Sequence, residues 1–299
     1  DKYDFDGFRQ DATKHVPHNF WRELKNEMNK QFPNHDYFQI GETFGSDELI
    51  SSFVNPGELN SQFNFSLYFP FREQLASQSA DMNQINKIIH KNMGVYGPIN
   101  LMGTITSSHD QARFISFADG QMKFNENPIE RAFENPPSMI KDITSYLKLF
   151  MFTAMNISLP GVPVIYYGEE IGEPGAGDPD NRRMMRFENE LTDLEIRHKN
   201  KMKTLIRLRS QYPSLSIGDF QVLYEKDYIT VWQKTYFGEN IICVFNHSHK
   251  SANVEFSIVP HQKQYMASLL DDNDIDIIWG EVKLELLPYD TRMYLVSQK

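Results

Sequence analysis

The pattern of hydrophobic and polar positions divides the chain into two parts. Residues 1–212 alternate short apolar runs with longer amphipathic stretches, which is typical of βα units that build a parallel sheet. The run 162–167 is almost fully apolar, as expected of a strand buried on both faces. The pattern predicts strands at 3–8, 37–41, 63–69, 99–105 and 162–167, and helices at 17–28, 85–94, 143–157 and 195–210.

Residues 213–299 have a different pattern, in which short apolar runs are separated by polar turns and no helical period is evident. This pattern is typical of a small all-β domain, and we predict a β-sandwich. The sequence thus predicts an α/β domain over 1–212 and an all-β domain over 213–299. The predicted strands of the second domain are 220–224, 229–233, 241–245, 254–258, 282–286 and 292–296.

Composition and charge narrow the classes of partner. Acidic residues outnumber basic residues by 40 to 30, giving a formal net charge of -10. This balance disfavours nucleic acid, because phosphate binding needs clustered Lys and Arg. The single cysteine, Cys243, excludes an intrachain disulfide and a cysteine-based metal cluster. Since no apolar run reaches the ~18 residues of a membrane helix, a membrane partner is not predicted either. The compartment stays open.

Ionisable side chains follow several of the predicted strands. In a (β/α)₈ barrel the carboxyl ends of the strands converge on one mouth, where catalytic groups lie. Acids after strands can instead be helix N-caps, which the helix dipole favours. That alternative weakens when acids follow successive strands together with Arg and His. The groups are Arg9, Asp11, Lys14 and His15 after the first strand, Glu42 after the second, His109, Asp110 and Arg113 after the fourth, and Glu169 and Glu170 after the fifth.

Three carboxylates accompanied by Arg and His, without metal-ligand spacing, suit glycoside hydrolysis. In a retaining enzyme one carboxylate attacks the anomeric carbon, a second protonates the leaving oxygen, and the two groups lie about 5–5.5 Å apart. An Arg beside the nucleophile keeps it ionised. The acid must keep its proton near neutral pH, which burial near another carboxylate promotes.

Five segments resemble the α-amylase family (glycoside hydrolase family 13). The segment DGFRQDATKHV resembles its second signature region, IGETF the third and SSHDQAR the fourth. GVPVIYYGEE is similar to its last barrel strand, and GDPDNRRMM to the loop after it in neopullulanase and cyclomaltodextrinase-like members. Each motif alone is moderately specific, but their order and spacing make the combination strong. The segments lie at 6–16, 40–44, 107–113, 161–170 and 177–185.

The resemblance implies a catalytic role for each of the three carboxylates. Asp11 is expected to be the nucleophile, and Glu42 the general acid and then the base. Asp110 is expected to hold the distorted sugar by its hydroxyls and to stabilise the oxocarbenium-like transition state. No cofactor is expected to be required for this chemistry, while a structural calcium ion is left open.

The resemblance also implies a set of substrate-binding residues. Arg9 is expected to orient Asp11, and His109 to bind sugar hydroxyls in the same subsite. Lys14 and His15 are expected to line the neighbouring acceptor subsites, and Arg113 belongs to the same predicted set. The Lys14–His15 pair is more usual in members that cleave α-1,4-glucans, which favours that linkage. The charged residues of 178–183 are expected to form a salt-bridged loop, with substrate contact as the alternative.

The sequence departs from the family pattern in two ways. Ser108 stands where the family usually has Asn, although a hydroxyl can still form a hydrogen bond. The family's first region and the domain that follows its third barrel strand have no counterpart here. The chain therefore resembles units 4–8 of the barrel, and we expect it to begin within a longer protein. A partial barrel would leave two open edges, and such edges invite pairing with another chain.

The sequence thus favours a retaining glycoside hydrolase that cleaves α-glucosidic bonds, mainly α-1,4, in starch-derived glucans or maltooligosaccharides. Three alternatives stay open. The first is a transglycosylase of the same family, in which a sugar replaces water as the acceptor. The second is a non-catalytic glucan-binding paralogue. The third is an inactive fragment.

Overall fold

The computed structural model describes residues 4–78, 80–97, 101–259 and 264–298. The chain forms two compact units, each built from several segments. The first unit comprises Asp1–Phe69, Ile88–Ile105 and Gly161–Val164, and the second comprises Pro70–Lys87, Thr106–Pro160 and Ile165–Lys299.

The first unit contains a row of parallel strands. Parallel ladders join β1 to β2, β2 to β3 and β4 to β5, and a parallel bridge between Phe63 and Gly103 connects β3 with β4. Successive strands that lie side by side in parallel are the arrangement of a (β/α)₈ barrel wall. The five strands of the described residues confirm the predicted partial barrel. They are β1 (Gly7–Gln10), β2 (Phe38–Gly41), β3 (Ser61–Gln62), β4 (Gly103–Ile105) and β5 (Val162–Val164).

Four of the nine helices of the described residues match predicted helices with shifted ends, and the other five were not predicted. No helix in this part of the chain is long and apolar enough to cross a membrane. The predicted helices at 17–28, 85–94, 143–157 and 195–210 correspond to the first, fourth, seventh and eighth helices below. The helices are α1 (His18–Gln31), α2 (Asp47–Ser52), α3 (Phe65–Ala76), α4 (Met82–Tyr96), α5 (Phe114–Ala118), α6 (Pro128–Glu134), α7 (Ile143–Ser158), α8 (Asp193–Gln211) and α9 (Pro213–Ile217).

The predicted strand at 63–69 is wrong, because most of this segment belongs to α3. The side-chain oxygen of Asn64 accepts a hydrogen bond from the backbone N–H of Leu67 at 3.1 Å, which is an N-cap contact. Phe65 and Phe69 then stack at 5.7 Å between ring centroids, as residues four apart on a helix can. The segment thus forms a helix, which begins at the Asn64 cap, although its apolar residues alternate as in a strand.

Two further predictions about the parallel strands need correction. The strand predicted at 162–167 is only Val162–Val164, and its residues are half-buried rather than buried on both faces. Among the described residues it pairs with β4 alone, so it is an end strand of the row. The first and fourth predicted strands are also shorter than expected, and Tyr3, Ile99 and Asn100 lie outside the described residues.

The β-rich part of the second unit is an antiparallel domain with two sheets. The larger sheet has the strand order β11-β10-β13-β8-β7-β6, and β12 pairs with β9 in the smaller one. Apolar residues of both sheets, such as Val231, Val244, Val254 and Leu284, share one core, which confirms the predicted all-β domain. The strands are β6 (Asp219–Lys226), β7 (Ile229–Tyr236), β8 (Glu239–Asn246), β9 (Ala252–Ser257), β10 (Gln264–Ser268), β11 (Ile275–Asp276), β12 (Glu281–Leu286) and β13 (Asp290–Gln298).

All six predicted strands of the β domain are present, and among its described residues the pattern missed three short elements. Strand β10 has five residues and β11 only two, which is too short for alternation to be recognised. The helix α9 begins with Pro213 in its first turn, a position that proline favours. The predicted absence of helix after residue 213 is therefore wrong for this one short element.

Candidate active site

The pairing of β1 with β2 places the predicted nucleophile beside the predicted acid in the first unit. The register matches Arg9 with Ile40 and Gln10 with Gly41. The backbone N–H of Glu42 donates to the carbonyl of Gln10 at 3.0 Å, so the chain continues in register past the strand ends. The two carboxylates consequently follow neighbouring strands at the same end.

Arg9 joins these two carboxylates through one guanidinium group. Its Nη1 donates to Oδ1 of Asp11, and its Nη2 donates to Oε2 of Glu42 at 2.6 Å. The Arg9 side chain is 29% exposed, that of Glu42 is 17% exposed and that of Asp11 is 74% exposed. Hydrogen bonds between charged groups are stronger than neutral ones and hold their partners in a defined geometry.

The backbone next to Asp11 adopts an unusual conformation. Ala12 has φ 44° and ψ 41°, in the left-handed region that residues with a side chain avoid. Such a conformation costs roughly 1–2 kcal/mol. Strain of this kind concentrates at functional sites. The turn that carries the predicted nucleophile therefore has one of the usual marks of a site.

Lys14 and His15 lie on the exposed turn that follows. Lys14 donates from Nζ to the backbone carbonyl of Phe44 at 2.8 Å, and this nitrogen lies 5.8 Å from the centre of the Phe44 ring. His15 is exposed on the same short 3-10 turn. Phe44 is a large exposed aromatic that the sequence reasoning missed as a site residue, although it closes one of the family-like motifs.

The second unit holds the predicted sugar-binding turn. The Ser108 hydroxyl accepts a hydrogen bond from the backbone N–H of Asp110 at 3.2 Å, so the hydroxyl that replaces the usual amide does form a bond. His109 Nε2 lies 3.1 Å from Asp110 Oδ2. On the other side, Arg182 Nη2 lies 3.4 Å from Asp110 Oδ1 and 3.3 Å from an oxygen of Asp178. The Asp110 carboxylate thus lies between an imidazole and a guanidinium.

Arg113 is buried inside the second unit, with only 1% of its surface exposed. Its Nε donates to the carbonyl of Asn181 at 3.0 Å and its Nη1 to that of Tyr167 at 2.5 Å. The guanidinium also lies 4.0 Å from the centre of the Tyr166 ring. Burial lowers the pKa of Arg113, and the nearby Glu169 opposes that change. Its predicted contact with substrate stays a prediction.

The loop 178–183 forms the expected ion pairs. Besides the pair between Arg182 and Asp178, Arg183 donates from Nε to Asp180 at 2.8 Å. The sequence reasoning missed Asn181 in the same loop, whose amide nitrogen donates to the carbonyls of His109 and Gln111. A neutral residue between charged ones gave no signal that could have found it.

Glu169 is a buried carboxyl group in the segment GVPVIYYGEE. It accepts hydrogen bonds from the Thr106 hydroxyl and from the backbone N–H of Tyr166, the latter at 3.1 Å. Its Oε1 has no hydrogen-bond partner in the part of the chain that the structure describes. Burial raises the pKa of Glu169 to about 7.

The predicted catalytic residues are thus divided between the units. Asp11 and Glu42 lie in the first unit, and Asp110 lies in the second. Their union in one site stays a prediction, as does the domain boundary between 212 and 213. Among residues 4–78, 80–97, 101–259 and 264–298, no group of three or more His, Cys, Asp or Glu side chains could hold a metal ion.

The chain has a row of parallel strands with an Arg-linked pair of carboxylates at its end, followed by an antiparallel β domain. This combination is typical of glycosidases with a (β/α)₈ barrel. The family described as "Alpha amylase, catalytic domain" matches residues 1–213. The family described as "Maltogenic Amylase, C-terminal domain" matches residues 220–293. The chain belongs to the α-amylase family.

Curated relatives share about a quarter of the residues. A cyclomaltodextrinase of Thermoanaerobacter pseudethanolicus is 28% identical over 253 residues, which are 83% of this chain and 38% of that protein. A cyclomaltodextrinase of Geobacillus thermopakistaniensis is 26% identical over 99% of this chain and 46% of its own length. The chain therefore spans less than half the length of these two relatives.

Solved structures of α-amylases have the same fold. The α-amylase of Anoxybacillus superposes with a TM-score of 0.82 and 27% identity, covering 99% of this chain and 60% of that one. The α-amylase of Geobacillus thermoleovorans, solved in complex with acarbose, superposes with a TM-score of 0.82 and 26% identity, covering 99% and 61%.

Proposed function

We propose that this chain carries the catalytic carboxylates of a retaining glycoside hydrolase that cleaves α-glucosidic bonds, mainly α-1,4, in starch-derived glucans and maltooligosaccharides. The observation that carries the proposal is the guanidinium of Arg9, which binds Asp11 and Glu42 together at the ends of neighbouring strands. An α-amylase similar to this chain was solved with acarbose, which supports an oligosaccharide as the ligand.

The reaction has two steps, each with one bond made and one broken at the anomeric carbon. A carboxylate oxygen of Asp11 attacks this carbon while Glu42 gives its proton to the departing glycosidic oxygen. The product of the first step is a glycosyl ester on Asp11. Glu42 then takes a proton from water, the water oxygen attacks the same carbon, and the ester bond breaks. Two inversions give net retention, and Asp110 binds the sugar hydroxyls throughout.

Transfer to a sugar is the second candidate reaction. A cyclomaltodextrin glucanotransferase of Paenibacillus macerans is 28% identical over 243 residues, which are 80% of this chain. The exposed pair Lys14 and Phe44 offers a cation and a ring face on which an acceptor sugar can lie. Chromatography of the products distinguishes the reactions, because transfer yields oligosaccharides longer than the substrate.

The test is incubation of the 299-residue chain with maltoheptaose, followed by proton NMR of the first products. We expect reducing ends in the α-configuration, since retention preserves the anomer of the substrate. Asp11→Asn and Glu42→Gln should each lower turnover by about 10³-fold or more. The matched control is Asp36→Asn, at an exposed aspartate of the same unit, which should leave turnover unchanged.

The results distinguish the retaining hydrolase from its alternatives. A β-configured first product would exclude the retaining mechanism, and near-normal turnover by Asp11→Asn would exclude its role as nucleophile. Absence of turnover by the wild-type chain, with maltoheptaose still bound in calorimetry, would favour a glucan-binding paralogue. Absence of both would favour an inactive fragment.

We also propose that the end strands β1 and β5 pair with another chain. Each has one parallel neighbour among the described residues, and Phe8 on β1 is exposed. Unpaired backbone groups of an end strand favour such pairing. Light scattering after gel filtration should give a mass above 34.9 kDa, whereas a monomer at every concentration would contradict the proposal.

A further inference from the structure

Asn181 lies in the loop after β5 and is fully buried, with 0% of its surface exposed. Its Nδ2 donates to the carbonyl of His109 at 2.7 Å and to that of Gln111 at 3.0 Å. These two carbonyls lie on either side of Asp110 in the sequence. A primary amide has two N–H donors, and both are used here on one short turn.

The backbone of Asn181 is itself fastened to the same region. Its carbonyl accepts from the Nε of Arg113 at 3.0 Å, and the backbone N–H of Arg113 donates to the carbonyl of Gly175 at 3.0 Å. Arg182, the next residue, adds a second donor to the His109 carbonyl, from its Nε at 3.1 Å. The loop is therefore tied to both sides of the turn that carries Asp110.

Close packing leaves the loop little freedom to shift. A Cβ placed on Gly175 would come within 2.8 Å of the Asn181 Cα and 2.9 Å of the Asp180 carbonyl oxygen. Because these neighbours are backbone atoms, they cannot make room by the rotation of a side chain. The amide of Asn181 consequently reaches the two carbonyls from a fixed position.

We infer that Asn181 is a positioning residue, which sets the direction of the His109–Asp110 turn so that Asp110 can bind sugar hydroxyls. The role of Asp110 rests on the proposed function, whereas the role of Asn181 in fixing the turn does not. Catalytic side chains must be held to within a fraction of an ångström, because a displacement of about 1 Å can cost a hundredfold in rate. Two buried donors to neutral carbonyls supply that restraint.

A purely space-filling role for Asn181 makes a different prediction for the isosteric change Asn181→Asp. The variant keeps the shape of the side chain but replaces both donors with acceptors that face two carbonyl oxygens. If Asn181 only fills space, this change has little effect on the turn. If Asn181 positions the turn, the new carboxylate oxygen repels the carbonyl oxygens of His109 and Gln111, which also lose their donors, and the turn is displaced.

The experiment measures hydrogen exchange of the backbone amides of Gln111 and Arg113 by NMR in the full chain. We expect exchange in Asn181→Asp to be about tenfold faster or more, since the carbonyls of His109 and Gln111 lose their Asn181 donors. Asn200→Asp, at an exposed asparagine on α8, is the matched control and should leave both rates unchanged. Equal rates in wild type and Asn181→Asp would overturn the inference.

The pH dependence of exchange in Asn181→Asp also distinguishes positioning from a space-filling role. A protonated carboxyl has one O–H donor, so lowering the pH should restore one of the two bonds in Asn181→Asp. The ratio of its exchange rates to those of wild type should therefore fall towards one as the acid takes up its proton. A ratio that stays constant with pH would contradict positioning by donation.

A second variant decides the matter if circular dichroism shows that Asn181→Asp does not fold. Arg182→Gln removes the neighbouring donor to the His109 carbonyl from a partly exposed position, so the fold should persist. We expect faster exchange at Gln111, by a smaller factor than in Asn181→Asp. Unchanged exchange in Arg182→Gln would then overturn the inference.

Turnover separates this inference from the proposed function. If the wild type hydrolyses maltoheptaose, Asn181→Asp should lower kcat by about tenfold or more with a smaller change in KM, because the restraint acts on the transition state. Altered exchange with normal kcat would refute positioning for catalysis. If the wild type hydrolyses nothing, the proposed function fails, and the exchange rates still decide whether Asn181 fixes the turn.

Discussion

The two groups of predicted catalytic residues are held by different forces. In the first unit a single guanidinium, that of Arg9, binds two carboxylates, one of which is largely exposed. In the second unit the turn around Asp110 accepts hydrogen bonds at its backbone carbonyls, from Asn181 and Arg182, and the Asp110 carboxylate also pairs with Arg182 and His109. The first arrangement depends on opposite charges, whereas the second combines opposite charges with the neutral donors of the buried Asn181 amide.

This difference indicates how each group should respond to its surroundings. Attraction between exposed charges is weakened by salt and contributes little to stability. The hydrogen bonds from the buried Asn181 amide join neutral groups and are insensitive to salt, but loss of such a bond costs about 1–3 kcal/mol where a group is left unsatisfied. Salt should therefore change the interactions of Asp11 and Glu42 gradually, whereas loss of a donor should displace the Asp110 turn.

The largest expected effect concerns Glu169, the buried carboxyl near the Asp110 turn. Its pKa is raised from 4.5 to about 7 in the folded chain, so folding is favoured when this group is protonated. Its contribution is complete below pH 4.5 and is lost as the pH rises through 7. Glu169→Gln cannot ionise and should be more stable than wild type by about 3 kcal/mol near pH 8, a difference that disappears in acid.

Urea unfolding of both proteins across this pH range measures the difference. Glu134→Gln, at an exposed position on α6, is the control and should show no such pH dependence. A constant difference between Glu169→Gln and wild type at all pH values would mean that Glu169 does not titrate as inferred.

The next effect, in turnover rather than stability, concerns Arg9. Arg9→Gln removes the shared cation, so Asp11 and Glu42 should repel each other and move from their positions. Turnover of maltoheptaose should fall about a hundredfold, while the free energy of unfolding should change by less than about 1 kcal/mol. Arg9→Lys should fall between the two, because one ammonium group cannot match a planar fork. A large loss of stability in Arg9→Gln would show that the charged group is structural.

The sequence predicted the charged group better than the neutral one, for physical reasons. Asp11 and Glu42 follow apolar strands and lie in recognisable motifs, so pattern and resemblance agreed on them. Asn181 carries no charge, and its partner carbonyls are 72 and 70 residues away along the chain. Backbone acceptors have no side-chain signature, so only the folded chain could bring them to light.

The fold divides in the same way. Long periodic segments such as α7 and α8 were predicted within a few residues, because amphipathic period survives small errors in the ends. The segment 63–69 misled the prediction because its alternating aromatics fit a strand, while a single cap at Asn64 begins a helix. Local hydrogen bonds of one polar side chain thus decided what periodicity left ambiguous.

A smaller effect is expected from filling the space beneath the loop that holds the Asp110 turn. Gly175→Ala places a methyl group against backbone atoms of Asp180 and Asn181, and overpacking of this kind costs typically 1–3 kcal/mol. Gly94→Ala is the matched control, because its Cβ meets nothing within 4 Å on α4, and alanine favours helices. Thermal unfolding should show a loss for Gly175→Ala and a small gain for Gly94→Ala. Equal stabilities would mean that the loop is free to shift.

The smallest effect is the most direct contrast between the two groups. Salt at about 1 M shortens the screening length to ~3 Å, which weakens the exposed pair between Arg9 and Asp11. Turnover of maltoheptaose should fall by less than about fivefold, since such pairs contribute about 1 kcal/mol or less. Amide exchange at Gln111 and Arg113 should stay the same in low and high salt, because the two bonds from Asn181 join neutral groups. Faster exchange in high salt, with turnover unchanged, would mean that ion pairs rather than the Asn181 bonds hold the Asp110 turn.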